Sequence, residues 1–174
     1  MELRDALARR RACRTFDARP VERELLDRLA AAAHAAPTAS NVPYRQVMVV
    51  DDPRVIRAVR QISPSLLADP PALLVILTDV ELAVRRVGPV GEASSLIDSG
   101  AAGENVWLAA IDAGLATQFT MISTMPGIRV VLGLPERMRV DLIMPVGYPA
   151  EGEPTGPVRR RRRPIHHDQF DDGA

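Results

Sequence analysis

The sequence predicts an α+β fold, a central mixed sheet with helices on both faces, and three observations carry that reading. Ala72 to Thr78 is a continuous apolar run of strand length, the pattern of a strand covered on both faces. Asp98 to Ala113 is apolar on most sides, as in a helix buried through the middle of a fold. Helical and strand patterns intermix along the chain, so helices and sheet must pack on each other around one core. The chain has 174 residues, 47% of them apolar, the size of one ordinary domain that buries roughly 70% of its unfolded surface.

The elements follow in order. Glu2 to Arg11 reads as a short helix with Leu3, Ala6 and Leu7 on one side. Thr15 to Pro20 is a turn. Glu22 opens a second helix, on which Leu25, Leu26, Leu29, Ala32 and Ala33 recur at helical spacing. It stops before Pro37, because proline cannot continue it. Pro37 to Pro43 is a loop by composition. Gln46 to Val50 is a short strand, and Asp52-Pro53 starts a helix to about Ile62, with proline at its favoured first turn. Ser63-Pro64-Ser65 breaks that helix. Glu81 to Ala93 carries only a weak period. Gly114 caps the long helix. Leu115 to Ile122 reads as a strand, Met125 to Leu132 as a helix ended by Gly133-Leu134-Pro135, and Arg139 to Gly147 as the last strand. From Tyr148 onward Pro and Gly dominate and an extended chain is expected. Residues 1–150 thus form the folded domain and 151–174 a basic tail.

Composition excludes several function classes. Aromatic residues make up 3% of the chain and the formal net charge is zero, which argues against a nucleic-acid partner. The one cysteine, Cys13, allows no intramolecular disulfide and no Cys-based zinc site, and suits a cytoplasmic protein. No signal-peptide core precedes the first helix, and no apolar run approaches the ~20 residues of a membrane span. His166 and His167 are adjacent, so on a strand they would face opposite ways. No other spacing suits a metal. His34, in an Ala-rich helix, reads as structural, and Cys13 as a small buried thiol rather than a nucleophile. No glycine-rich phosphate motif is present. Gly100 and Gly103 fit close helix packing.

What remains is cationic. Arg9, Arg10, Arg11 and Arg14 place four guanidinium groups within six residues, and Arg159 to Arg163 place five more near the other end. Arginine forks match phosphate oxygens two at a time, so one shared anionic target accounts for both clusters. A solvated basic turn accounts for the first, and a nucleic-acid patch or a free tail for the second. The loop Pro37 to Asn41 adds two hydroxyls and an amide. With no evident catalytic acid, base or nucleophile, the chemistry is assigned to a cofactor.

Several stretches together resemble the FMN-dependent nitroreductase family: Arg10-Arg11-Ala12-Cys13-Arg14-Thr15-Phe16, Pro37-Thr38-Ala39-Ser40-Asn41, Asp69-Pro70-Pro71-Ala72, Asp98 to Ala110, Gly133-Leu134-Pro135-Glu136, and Pro145-Val146-Gly147-Tyr148-Pro149. The likeness runs in the family's order over nearly the whole chain. It implies an intertwined homodimer with two FMN sites at the subunit interface. By the same likeness, Arg10, Arg11, Ala12 and Arg14 hold the phosphate and ribityl chain, joined by Arg160 and Arg162 of the tail. Pro37, Thr38, Ala39 and Asn41 line the flavin from the partner subunit. Gln118, Phe119, Thr120 and Met121 run along the isoalloxazine ring and supply a backbone N–H. The implied activity is transfer of a hydride from NADH or NADPH through FMN to a nitroaromatic, quinone or similar flat acceptor. Ile62 to Leu67 also resembles the cyclic dipeptide oxidase branch, an FMN-dependent desaturase. A flavin-binding protein without turnover is the alternative outside enzymes.

Overall fold

The inner strand β2 (Ala72–Asp79) explains its own sequence. Ala72, Leu74 and Ile76 pack into one core while Leu73, Val75 and Leu77 pack into another on the opposite face, because successive strand residues alternate sides. A strand covered twice has no polar face, hence the unbroken apolar run. The computed structural model describes residues 1–63, 66, 68–120, 125–161 and 163–169.

The chain runs α1 (Leu3–Arg9), α2 (Arg23–His34), a 3-10 turn (Ala39–Asn41), β1 (Arg45–Val50), α3 (Pro53–Ile62), β2, α4 (Val80–Val87), α5 (Gly91–Asp112), β3 (Ala116–Thr117), α6 (Met125–Leu132) and β4 (Met138–Gly147). The strands lie in the order β1-β2-β4-β3. α2 and α5 cover one face of the sheet through Leu26, Leu29, Val106 and Ala110. Ile56 and Val59 of α3 and Ile128 of α6 cover the other. The α+β class with flanking helices is as the sequence implies.

One difference concerns the ladders. All those among the described residues are antiparallel, where the sequence reading expects a mixed sheet. The β1–α3–β2 connection looks like a crossover, but it leaves and returns at the same end of the sheet, with Val50 paired to Leu73. It is a wide hairpin carrying a helix.

α5 begins seven residues before the expected Asp98. The weak period over Glu81 to Ala93 hides a helix pair. Asp79 caps α4 by accepting from Leu82 N–H at 2.9 Å. Gly88 then turns the chain at φ 92°. Gly91 lets α5 start directly against α4, since a Cβ there would lie 2.4 Å from the Ala83 carbonyl oxygen. Ser95 and Ser99 are buried on α5, so polar residues occupy its inward face and blur the apolar period.

Other boundaries shift less. α1 ends at Arg9, and Arg10 already has ψ 112°. The expected strand Leu115 to Ile122 contracts to β3 plus a single bridge from Thr120 to Ile143. Ile122, and Pro64 and Ser65 of the helix break, lie outside the described residues. His34 is exposed at the last turn of α2. His166 and His167 lie on irregular chain, not on a strand. No helix among the described residues is long and apolar enough to cross a membrane.

Candidate cofactor site

The two ends of the chain meet. After α1 the backbone opens at Arg10, and in open chain neighbouring side chains face opposite ways. Arg10 joins Arg160, Arg161 and Arg163 around a cavity of about 670 Å³. Its Nε lies 3.2 Å from Glu104 Oε1, and its guanidinium carbon lies 4.8 Å from the Trp107 ring centre. Arg160 donates to the carbonyls of Leu7 and Arg10 at 3.1 and 2.9 Å, and Val158 N–H donates to Ala8 O at 2.8 Å. The tail therefore satisfies carbonyls that α1 leaves open at its C-terminus, and a cation sits there in favourable contact with the helix dipole.

Arg11 does not share that cavity. It donates to Gly156 O and Pro157 O at 3.0 and 3.4 Å. It lines a second cavity, of about 260 Å³, with Cys13, Trp107, Leu115 and Glu153. Ala12 and Arg14 are exposed and line neither. The Cys13 thiol is buried, as the sequence implies. Burial foremost, then the Glu153 charge, push its pKa up to about 11, so it carries no thiolate at neutral pH and is no nucleophile.

The 118–120 segment adjoins Arg10 through aromatic contacts. Trp107 Nε1–H donates to Arg11 O at 3.2 Å, and its ring centre lies 4.8 Å from that of Phe119 at an interplanar angle of 55°. Gln118 is half-buried and Phe119 is 37% exposed. Thr120 is buried, and its N–H and C=O both pair with Ile143 at 3.0 and 3.1 Å. Thr120 therefore has no backbone donor left for a ring nitrogen. Met121 and Arg162 lie outside the described residues.

The loop Pro37 to Asn41 is held elsewhere, by residues that the sequence reading missed. Arg45 is only 6% exposed. Its guanidinium donates to Pro37 O at 3.1 Å, Asp98 O at 3.2 Å, His34 O at 3.4 Å and Ala36 O. Burial holds its pKa below the ordinary arginine value. The Tyr44 hydroxyl donates to Asp98 Oδ2. Ala39 N–H donates to the same carboxylate oxygen at 2.8 Å and to the Tyr44 hydroxyl oxygen at 3.1 Å. Burial, then the Asp98 hydrogen bond, push the Tyr44 phenol up to about 12. Ser40 and Asn41 have φ of 53° and 59°, a left-handed pair that non-glycine residues seldom adopt. The available signal was a charged Arg45 at the start of a strand that is apolar from Val47 to Val50. Asp98 and Trp107 stand nine positions apart on α5, about 13 Å along its axis. One subunit therefore brings Arg10, Arg160, Trp107 and Phe119 together and keeps its own Thr38 loop away from them.

The comparisons agree with this architecture. A family model described as "Nitroreductase family" matches residues 7–69 and 60–148. A protein of Methanothermobacter thermautotrophicus, provisionally named NADH dehydrogenase/NAD(P)H nitroreductase, is 26% identical over 161 residues, covering 89% of this chain and 81% of that one. Iodotyrosine deiodinase 1 of Rattus norvegicus is 27% identical over 191 residues, covering 92% of this chain and 66% of its own length. Among solved structures, a protein of Parabacteroides distasonis with the same provisional name superposes with a TM-score of 0.80 at 26% identity, covering 95% and 96% of the two chains.

Proposed function

The chain belongs to the nitroreductase family, and from that premise we propose that it is an FMN-dependent NAD(P)H oxidoreductase reducing nitroaromatic, quinone or similar flat acceptors. The observation that carries the reading is the convergence of Arg10 with Arg160, Arg161 and Arg163 on one cavity, which no carboxylate lines among the described residues. Four guanidinium groups gathered this way fit a dianionic phosphate, which each can engage with a pair of donors. When bound, FMN supplies the redox step, accepting a hydride from the nicotinamide and passing it to the second substrate in a ping-pong cycle.

The protein's own part is to bind, orient and shield. Arg10 and Arg160, fixed by Glu104 and by the carbonyls at the end of α1, anchor the phosphate. Trp107 and Phe119 wall the approach on the Arg10 side. Thr38, Ala39 and Asn41 are assigned to the flavin site of a second subunit, because their own subunit holds them along α5 from Trp107. Exposed Val90, Leu96 and Ile97, the last at 76%, give a homodimer an apolar surface to cover. Residues 151–174 serve as the segment that completes the phosphate site and the dimer.

The visible spectrum of the purified protein tests this, followed by anaerobic addition of NADPH or NADH. Flavin absorbance that bleaches with either donor supports the reading. Bound flavin that resists both, with oxygen uptake on cyclic dipeptides, replaces it with a desaturase. No flavin bound, even on adding FMN, refutes every enzymatic version.

A further inference from the structure

We propose that Asp98 and Tyr44 are positioning residues for the flavin: by pinning the Ala39 amide they fix the Ser40–Asn41 pair in the conformation that FMN binding requires. The inference rests on the functional reading above, in which Thr38, Ala39 and Asn41 line the flavin.

Two consecutive L-residues at positive φ do not hold that conformation on their own. Here the restraint comes from outside the loop. One carboxylate oxygen of Asp98 takes both the Ala39 N–H and the hydroxyl of fully buried Tyr44. A hydrogen bond to an ionised oxygen is roughly twice as strong as one between neutral groups. Arg45 gathers the carbonyls of Ala36 and Pro37, just ahead of Thr38.

The carboxylate is itself referenced to the rigid core. Ser99, the next residue on α5, donates to Asp141 Oδ2 at 2.5 Å. The same oxygen accepts from Thr78 of β2 at 2.6 Å, and Arg139 Nε–H donates to Asp141 Oδ1 at 2.5 Å. Successive residues of α5 thus key the helix to the sheet and the loop to the helix. A binding group held on regular elements keeps the narrow tolerance that cofactor recognition needs.

The test uses apoprotein of the wild type, Asp98→Ala, Tyr44→Phe, the double variant of these two, and Asp52→Ala, which removes the acceptor that caps α3. Each is titrated with FMN by flavin fluorescence, with thermal melting and amide hydrogen exchange followed on the same samples. Asp98→Ala is expected to weaken FMN binding about tenfold or more, the loss that follows when a charged hydrogen-bond partner is removed, with faster exchange at Ala39. Tyr44→Phe is expected to lose less, and to add nothing once Asp98→Ala is present. Asp52→Ala lowers the melting temperature by uncapping α3, which packs on the opposite face of the sheet from α5, yet leaves FMN affinity within about twofold. Equal losses of affinity in Asp98→Ala and Asp52→Ala would overturn the proposal. So would faster exchange at Ala39 with unchanged affinity. If Asp98→Ala does not fold, Asp98→Asn, which retains one acceptor oxygen, is judged by the same criteria. Wild-type protein that takes up no FMN overturns the functional reading together with this one, whereas normal wild-type uptake with unaltered variants overturns this one alone.

Discussion

Gly103 and Phe119 interlock. A Cβ on Gly103 would lie 2.8 Å from two atoms of the Phe119 ring and 2.8 Å from Leu142 Cδ1. The glycine inside the longest helix therefore serves a specific ring, one that packs at a tilt against Trp107. Gly103→Val is expected to lower stability by about 2 kcal/mol, since overpacking costs roughly 1–3 kcal/mol and valine recovers part of the ~1 kcal/mol helix penalty of glycine. Urea denaturation measures it. An unchanged midpoint would mean that Phe119 swings aside freely.

Arg45 is the buried cation of the loop anchor, and its fork geometry is what matters. Arg45→Lys keeps the charge but cannot reach carbonyls of Pro37, Asp98 and Ala36 at once, because an ammonium lacks the planar fork. A loss of about 2–4 kcal/mol is expected from stranded carbonyls and a poorly paired buried charge. Arg45→Met removes the charge and strands the same carbonyls. If lysine matched wild type in denaturation, the fork would be irrelevant.

For the phosphate, Arg160→Ala is expected to weaken FMN binding by about 1.5–3 kcal/mol, the scale of a charge-assisted hydrogen bond. Part of that loss comes from the freed carbonyls of Leu7 and Arg10. Fluorescence titration at two salt concentrations separates the two. The electrostatic part shrinks as ionic strength rises, and a loss insensitive to salt would assign Arg160 to α1 alone.

The Cys13 thiol gives a pH signature. Its pKa rises on folding from an ordinary value of 9.0 to about 11. The folded state thus holds the proton more tightly than the unfolded one. Its contribution to stability is complete below pH 9.0 and is lost as pH climbs towards about 11. Cys13→Ser should flatten that alkaline decline in melting curves taken across this window. In native protein at pH 8 the thiol should resist a thiol-specific reagent that labels it at once in urea. Equal rates in both states would contradict its burial.

Much of this was legible beforehand, for definite reasons. The apolar run 72–78 had to be a doubly covered strand, and Pro53 after Asp52 had to open a helix, because each signal is local. The joint between α4 and α5 was hidden because buried Ser95 and Ser99 answer to Asp141 and Arg139, some forty residues away in sequence. The arginine motif told which residue type to watch, but not that an open backbone at Arg10 would send it and Arg11 into separate cavities. Arg45 and Asp98 escaped notice because a lone charge in an apolar context reads as a boundary until its carbonyl partners are seen.

The tail lying on α1 has a consequence for how the protein comes apart. A seven-residue helix has too few internal bonds to persist alone, and Val158 and Arg160 hold its last carbonyls. The last turn of α1 and the segment from Val158 to Arg160 are therefore expected to loosen together. A protease nick after Pro157 would unravel the opening of the polypeptide as surely as its close.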